Sequence, residues 1–359
     1  MEEQSKQILD LVLQPAFLAV DGIIRWCNSY ARPLVDEGTA VERLLGENIA
    51  LFDLWTREDT LLLPMELGGG EYDVSVRALQ EGTLFVAERR LAELDTAAQA
   101  MVHISACLRK PLHAMMTAAR ELFDRVEEDP CAADAAAQLN RTIYQLLRLS
   151  GQMSDGGRLM QRSVQAHRKR TELKQYFDAL VDEIRPLVEA AGRRLEYTTL
   201  PHGVQGWIDG DLLERAIYNL AANAMQYTRE GGVIRLSIER AGKKMLAIRM
   251  SDNGTGVSPS DMAHLFEHFA ESAGGDSRWG LGMGLTMVRE IARLHGGTVM
   301  ISAGSREGTT AMISVSLAPC ADELRTPVLH YDYCSGLHHG LVELSGSLPS
   351  KEYDPEQVR

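Results

Sequence analysis

No run of 18 or more apolar residues occurs in these 359 residues, although apolar types make up 45% of them. A membrane-spanning helix needs about 20 in succession, so no membrane insertion is expected. Basic residues are outnumbered as well: 37 Lys and Arg against 50 Asp and Glu give a formal net charge of −13. Proteins that grip a phosphate backbone normally present a basic face, so no nucleic acid partner is expected. The local basic run from Arg162 to Arg170 reads as a solvated linker. Cysteine is sparse. The five (27, 107, 131, 320 and 334) are odd in number and form no CxxC pair, which suits free thiols in a reducing cytoplasm. The start, MEEQSKQILDLVLQPAF, has no basic segment ahead of an apolar core, so no signal peptide is expected and the location reads as cytoplasmic. His330, Cys334, His338 and His339 near the end offer zinc-ligand chemistry, but a metal-free, His-containing tail is the plainer reading.

What is present divides into stretches of different period. Residues 14 to 31 hold two short β-runs around Asp21-Gly22, a hairpin signal, and Asn28 is placed to cap a helix. Tyr72–Val76 and Thr83–Glu88 flank a turn at Glu81-Gly82. Together they predict a small α+β domain over residues 1–90. From Leu91 the apolar residues fall alternately three and four apart: Leu91, Leu94, Ala98, Met101, Ser105, Leu108, Leu112, Met115, Ala119, Leu122 and Val126. After Asp129-Pro130 a second stripe runs Ala136, Leu139, Ile143, Leu146, Ser150, Met153, Gly157 and Met160. Residues 91–165 therefore predict two antiparallel helices. A lone hairpin buries such seams poorly, so two copies pairing into a four-helix bundle, a homodimer, is the expectation. A plain coiled-coil spacer fits the same periodicity. Residues 161–175 read as a polar linker, 171–320 as an α/β domain with strands at Val233–Glu239 and Met245–Ser251, and 321–359 as a tail.

Four elements of the α/β stretch carry chemistry. In NLAANAMQYT, Asn219 and Asn223 are four apart and so share a helix face; an amide oxygen can complete Mg²⁺ coordination without adding an anion. In SDNGTGVS, Asp252 ends a strand, and Gly254 and Gly256 let the backbone turn tightly against a planar base. LFEHF spans residues 265–269. In WGLGMGL, Gly280, Gly282 and Gly284 open a helix running on from Leu285, whose free N–H groups can meet phosphate oxygens. A Gly304…Gly308-Thr309 turn follows.

This ordered set resembles the nucleotide-binding boxes of the Bergerat-fold ATPases and, within them, the catalytic domain of sensor histidine kinases. The resemblance implies an α/β sandwich binding ATP and Mg²⁺, with the metal at Asn223 and the adenine amino group at Asp252. Asn219, Tyr227, Gly254, Gly256, Phe266, Phe269, Gly280, Gly282, Gly284, Leu285 and Thr309 would complete the pocket. Residues 270–279 would be its lid, with Arg278 a candidate cation for the phosphates. Gln226 stands where the family has Lys, and Ala270-Glu271 where it often has a basic residue, so phosphate neutralisation is weaker than usual. The N-terminal domain resembles a PAS sensor, although a ligand-free dimerising module fits as well. The two helices resemble the family's dimerisation and phosphoacceptor hairpin. Ser105-Ala106-Cys107-Leu108-Arg109-Lys110-Pro111-Leu112 stands at its Ser-His-Glu-Leu-Arg-Thr-Pro-Leu motif. Ala106 replaces the acceptor His and Cys107 its acidic neighbour, so no imidazole is present to attack a γ-phosphate. His113, seven residues on, and His103 are the candidate surrogates, each more simply a surface His; Ser105 reads as packing and Cys107 as a small, partly buried thiol. The resemblance implies a two-component phosphorelay with a response regulator as partner. The missing acceptor leaves a non-catalytic regulator, acting on that or another signalling protein by shape, as the alternative.

Overall fold

The computed structural model describes residues 12, 14–46, 49–52, 60–89, 94–123, 130–161, 164–242, 244–257, 283–303, 308–319 and 337–353. Phe266, Phe269, Arg278, Gly280, Gly282, Gly304, His330 and Cys334 lie outside them.

The N-terminal strands β1 (Ala16–Val20), β2 (Ile23–Cys27), β3 (Leu61–Leu67), β4 (Gly70–Leu79) and β5 (Gly82–Arg89) form one antiparallel sheet, ordered β2-β1-β5-β4-β3. Two short helices, α1 (Val41–Leu45) and α2 (Ile49–Phe52), lie between β2 and β3. Asp21 and Gly22 both take positive φ, 53° and 74°, as a two-residue hairpin turn requires. Asn28 does not cap a helix. Fully buried, its Oδ1 accepts from Ala16 and Ala31 N–H, and its Nδ2 donates to Gln14 and Val12 carbonyls, pinning the chain before β1 to the turn after β2. Strand β3 has no alternating pattern and contains Pro64, a residue confined to sheet edges; β3 is indeed an edge strand.

Helices α3 (Leu94–Phe123) and α4 (Pro130–Met160) pack antiparallel, and α3 runs on through Pro111. A Cβ on Gly157 would lie 2.6 Å from the Ala98 carbonyl oxygen, and Ser150 Oγ donates to the Ser105 carbonyl at 3.3 Å. Both contacts belong to one register. The predicted seam is buried only in part: Ala98, Met101, Ser105, Leu112, Ala119, Ala136, Ile143, Ser150 and Gly157 face inward, whereas Leu108, Met115, Leu139 and Leu146 are exposed. A two-helix pair gives each helix one neighbour, so only one edge of a seam this wide is covered.

Part of the expected linker is ordered structure: β6 (Lys169–Glu172) pairs with β8 (Gln205–Ile208), and α5 (Leu173–Ala190) begins inside it. The second large sheet holds β7 (Arg194–Thr198), β9 (Val233–Ala241), β10 (Met245–Asp252), β11 (Val299–Ala303) and β12 (Thr309–Ser316), ordered β11-β12-β10-β9-β7. Only the β7–β9 pairing is parallel among these. Period-2 alternation turns Ile234, Leu236, Ile238, Leu246, Ile248, Ile313 and Val315 toward α5, α6 (Gly210–Tyr227) and α7 (Gly284–Leu294). Met245, Ala247, Met300 and Met312 sit on the opposite face and pack with the core of the N-terminal sheet. Edge strands β3 and β11 lie side by side. Arg289 of α7, almost wholly buried, holds Asp73 of β4 at 2.6 Å.

Within the expected tail, residues 337–353 are folded. Helix α8 (His339–Glu343) and a 3₁₀ turn (Ser350–Tyr353) bury Val342, Leu344, Leu348 and Tyr353 completely.

His295 ends α7 fully buried. Its Nε2 accepts from Asp209 N–H, so its Nδ1 carries the proton and donates to the Ile291 carbonyl. Burial holds this imidazole below its usual range. The folded state keeps it neutral while the unfolded chain protonates it. Its contribution is therefore complete above the usual imidazole pKa, about 6.5, and is lost as pH falls through the lower folded value. His295→Leu should cost about 1–3 kcal/mol near neutrality by orphaning the Asp209 donor. It should also flatten the acid limb of the thermal midpoint measured against pH.

Candidate functional site

Helix α6 is capped by Asp209, whose Oδ1 accepts from Leu212 N–H at 3.1 Å while Oδ2 accepts from His167 N–H at 2.7 Å. So anchored, the helix carries Asn219 and Asn223 on one face. Asn219 is buried, and its Nδ2 donates to the Arg215 carbonyl at 2.9 Å. Its Oδ1 lies where a Cβ on Gly284 would come within 3.0 Å, so α7 starts directly against this amide. Asn223, one turn on, is half-buried, and its amide has no hydrogen-bond partner among the described residues.

The end of α6, the end of β10 and the start of β12 meet in a tight junction. Asp252 Oδ1 accepts from Gly254 N–H at 2.9 Å and from Thr309 N–H at 3.3 Å. Thr255 N–H donates to the Tyr227 carbonyl. A Cβ at Gly254 would lie 2.3 Å from the Tyr227 carbonyl oxygen, and one at Gly308 would lie 2.1 Å from that of Asp252. Gly256 and Gly308 also take positive φ, 73° and 114°. Burial pushes the Asp252 carboxyl above the ordinary carboxylate range, against the opposing pull of its two backbone N–H donors. With Oδ1 saturated, Oδ2 is the atom left to accept from a ligand. Tyr227 is 44% exposed at the helix end.

The junction thus brings together Tyr227, Asp252, Gly254, Gly256, Gly308 and Thr309, whereas Asn219 and Gly284 meet about two turns earlier on α6, with Asn223 between the two and Leu285 next along α7. Thr286 escaped the sequence reading. It lies in the first turn of α7, and its buried hydroxyl has no partner among the described residues. Nothing in the glycine spacing marks it. Asp155 was also missed: on α4, it pairs with Arg215 of α6 at 2.5 Å, one turn before Asn219. Burial raises its carboxyl above the usual range although Arg215 pulls it down. Met283, the residue before α7, is buried with its Sδ and Cε against Gly156.

The hairpin positions lie elsewhere. Ala106 and His103 are exposed, and so is Cys107, which is not the partly buried thiol expected, because residue 107 points away from α4. Ser105 is buried, its Oγ donating to the Val102 carbonyl. His113 is half-buried, and its Nδ1 donates to the Arg109 carbonyl at 2.9 Å, which leaves Nε2 as its accessible nitrogen.

Gly254→Ala should force the Asp252 turn off the end of α6, costing about 1–3 kcal/mol as an overpacked position. Chemical denaturation should show this loss, together with faster amide exchange at residues 252–257.

Residues 208–319 match the family described as histidine kinase-, DNA gyrase B- and HSP90-like ATPase. The chain is 28% identical over 273 residues to the histidine protein kinase DivJ of Caulobacter vibrioides, covering 74% of this chain and 45% of that one. It is 27% identical over 218 residues to the adaptive-response sensory kinase SasA of Crocosphaera subtropica, covering 59% and 57%. It therefore spans about half the length of these relatives. The crystal structure of full-length ShkA in complex with AMPPNP superposes with a TM-score of 0.52 at 21% identity, over 64% of this chain and 48% of that one, a likeness of fold. No helix among the described residues is long and apolar enough to cross a membrane.

Proposed function

We propose that this chain, similar over residues 208–319 to histidine kinase-like ATPases and along part of its length to sensor kinases, is a sensor-histidine-kinase-type protein: a dimeric, ATP·Mg²⁺-binding two-component signalling protein that regulates a response regulator or other signalling partner by conformation. The observation that carries this reading is the exposed Ala106, with Cys107 beside it, where the resemblance would put the acceptor histidine. A methyl group has no lone pair with which to take a phosphoryl group.

The junction fits a nucleotide. Asp252 Oδ2 would accept from the adenine amino group, Asn223 would hold the metal with its unengaged amide oxygen, and the first turn of α7, including Thr286, would meet the phosphates. The antiparallel N-terminal sheet supports a PAS-like sensor. Ile104, Leu108 and Met115 on α3 and Leu139 and Leu146 on α4 remain exposed. By the hairpin register Leu108 stands within one residue of the level of Leu146, and Met115 within one residue of that of Leu139. They form one apolar strip on one side, which a second hairpin would cover.

Three measurements test this reading. Asp252→Asn should weaken ATP binding about ten- to a hundredfold in calorimetry, the worth of a charge-assisted hydrogen bond. Wild-type affinity should decline on acidification at a pH above the ordinary carboxylate value of about 3.9, because the Asp252 pKa is raised and the proton lands on the oxygen that adenine needs. Leu108→Glu or Leu146→Glu should convert dimer to monomer by light scattering; an unchanged mass would refute the strip as the interface.

A second reading, a kinase with a relocated acceptor, rests on His113 and its accessible Nε2. Incubation with γ-labelled ATP and Mg²⁺, alongside His113→Ala and His103→Ala, separates the two. No acid-labile label is expected; label that disappears in one variant would establish the kinase.

A further inference from the structure

We infer that residues 337–353 are an intramolecular strap that clamps the ATPase domain to helix α4 and holds its nucleotide end away from residues 106–113 of the hairpin. The strap crosses from one body to the other. On the ATPase side, His339 Nδ1 meets Glu214 Oε1 of α6 at 2.9 Å. Gly340 packs where a Cβ would lie 2.5 Å from Leu187 of α5 and 3.1 Å from the Tyr218 hydroxyl. On the hairpin side, α4 donates repeatedly to strap carbonyls: Asn140 Nδ2 to Tyr353 at 2.9 Å, Gln145 Nε2 to Ser345 at 3.3 Å, and Arg141 to Ser345 and Gly346 at 3.4 and 3.3 Å. Arg148 pairs with Glu343 at 3.9 Å, both nearly buried. Tyr353 meets Tyr144 edge-on, centroids 5.1 Å apart. Positions 140, 141, 144, 145 and 148 form one helical face. Seven residues past Arg148, the same face reaches Asp155, which touches the ATPase domain directly through Arg215.

The hairpin register turns this placement into a constraint. Gly157 lies beside Ala98 and Ser150 beside Ser105. Residues 140–148 therefore run level with 107–115, and Gly156, where Met283 is seated, is level with residue 99. At 1.5 Å per residue the start of α7 sits about 10 Å along the axis from Ala106 and about 20 Å from His113. The strap occupies the level of residues 107–115 between α4 and α5–α6. While it is seated, the ATPase domain cannot slide along α4 toward either position. The clamp depends on neither nucleotide nor an acceptor, so it stands or falls apart from the functional reading.

The test uses the full chain with its other exposed cysteines replaced by serine and spin labels at Ala118→Cys on the hairpin and Asp182→Cys on the ATPase domain. Dilution with unlabelled chain isolates the intramolecular distance. A single narrow distribution is expected. Leu344→Asp and Tyr353→Asp, which bury a charge in the strap core, should broaden and shift it while exchange of the 341–353 amides accelerates about tenfold or more. If either variant fails to fold by circular dichroism, His339→Ala and Arg141→Ala each remove one tether and should broaden the distribution to a lesser degree. Accelerated exchange in the strap with an unchanged distance distribution would overturn the inference, as would a broad distribution in the unmodified chain.

Discussion

The close packing of α3 on α4 is the constraint from which the rest of the arrangement follows. Gly157 allows the Ala98 carbonyl and the Val102 side chain to approach to distances at which any Cβ would collide. Together with the Ser150–Ser105 hydrogen bond it fixes a single register. Once the register is set, each side of α4 has a separate task. Ile143, Leu147, Ser150 and Gly157 face α3. Asn140 through Arg148, then Asp155 and Gly156, face the strap and the ATPase domain. Leu139 and Leu146 are left uncovered. Helical geometry allows this division because residues seven apart recur on nearly the same side.

Buried polar contacts accompany the apolar packing between the ATPase domain and the hairpin. Asp155 with Arg215 and Arg148 with Glu343 are largely removed from water. Breaking one partner of such a pair is costly because the other is left charged and buried, even where the intact pair contributes little net stability. They therefore specify one orientation rather than merely strengthen contact. On the far side, the methionines of β10, β11 and β12 join the core of the N-terminal sheet, and Arg289 locks onto Asp73. The same five-stranded sheet thus touches a helical core on one face and the N-terminal domain on the other.

Much of the local structure was legible because its signals are local. The Asp21-Gly22 hairpin, the β9 and β10 strands, the helix opening at Gly284 and the helix start at Pro130 each follow from periodicity and turn chemistry within about ten residues. The tight turn after Asp252 was legible for the same reason. Glycine is needed at 254 and 308 because backbone approaches backbone there, and that requirement survives in sequence. Strand β3 was not legible. Leu61–Leu63 has no alternation because its side chains enter cores on both sides of the sheet edge, and Pro64 argued against a strand. The order within residues 337–353 was hidden too, since its short helix carries no amphipathic period long enough to read.

By itself the sequence determined the type of most elements, the glycines that let the Asp252 turn reach the end of α6 and α7 start against Asn219, and the absence of an imidazole at residue 106. Those properties depend on residue identity and near-neighbour spacing alone. Tertiary structure alone decided which part of the apolar seam is buried, that Asp155 belongs with Arg215, that Thr286 has a buried hydroxyl without a partner among the described residues, and that residues 337–353 bridge two bodies. These contacts join residues about 45 to more than 200 positions apart. Such pairings are set by how surfaces fit once folded, and no local pattern encodes them.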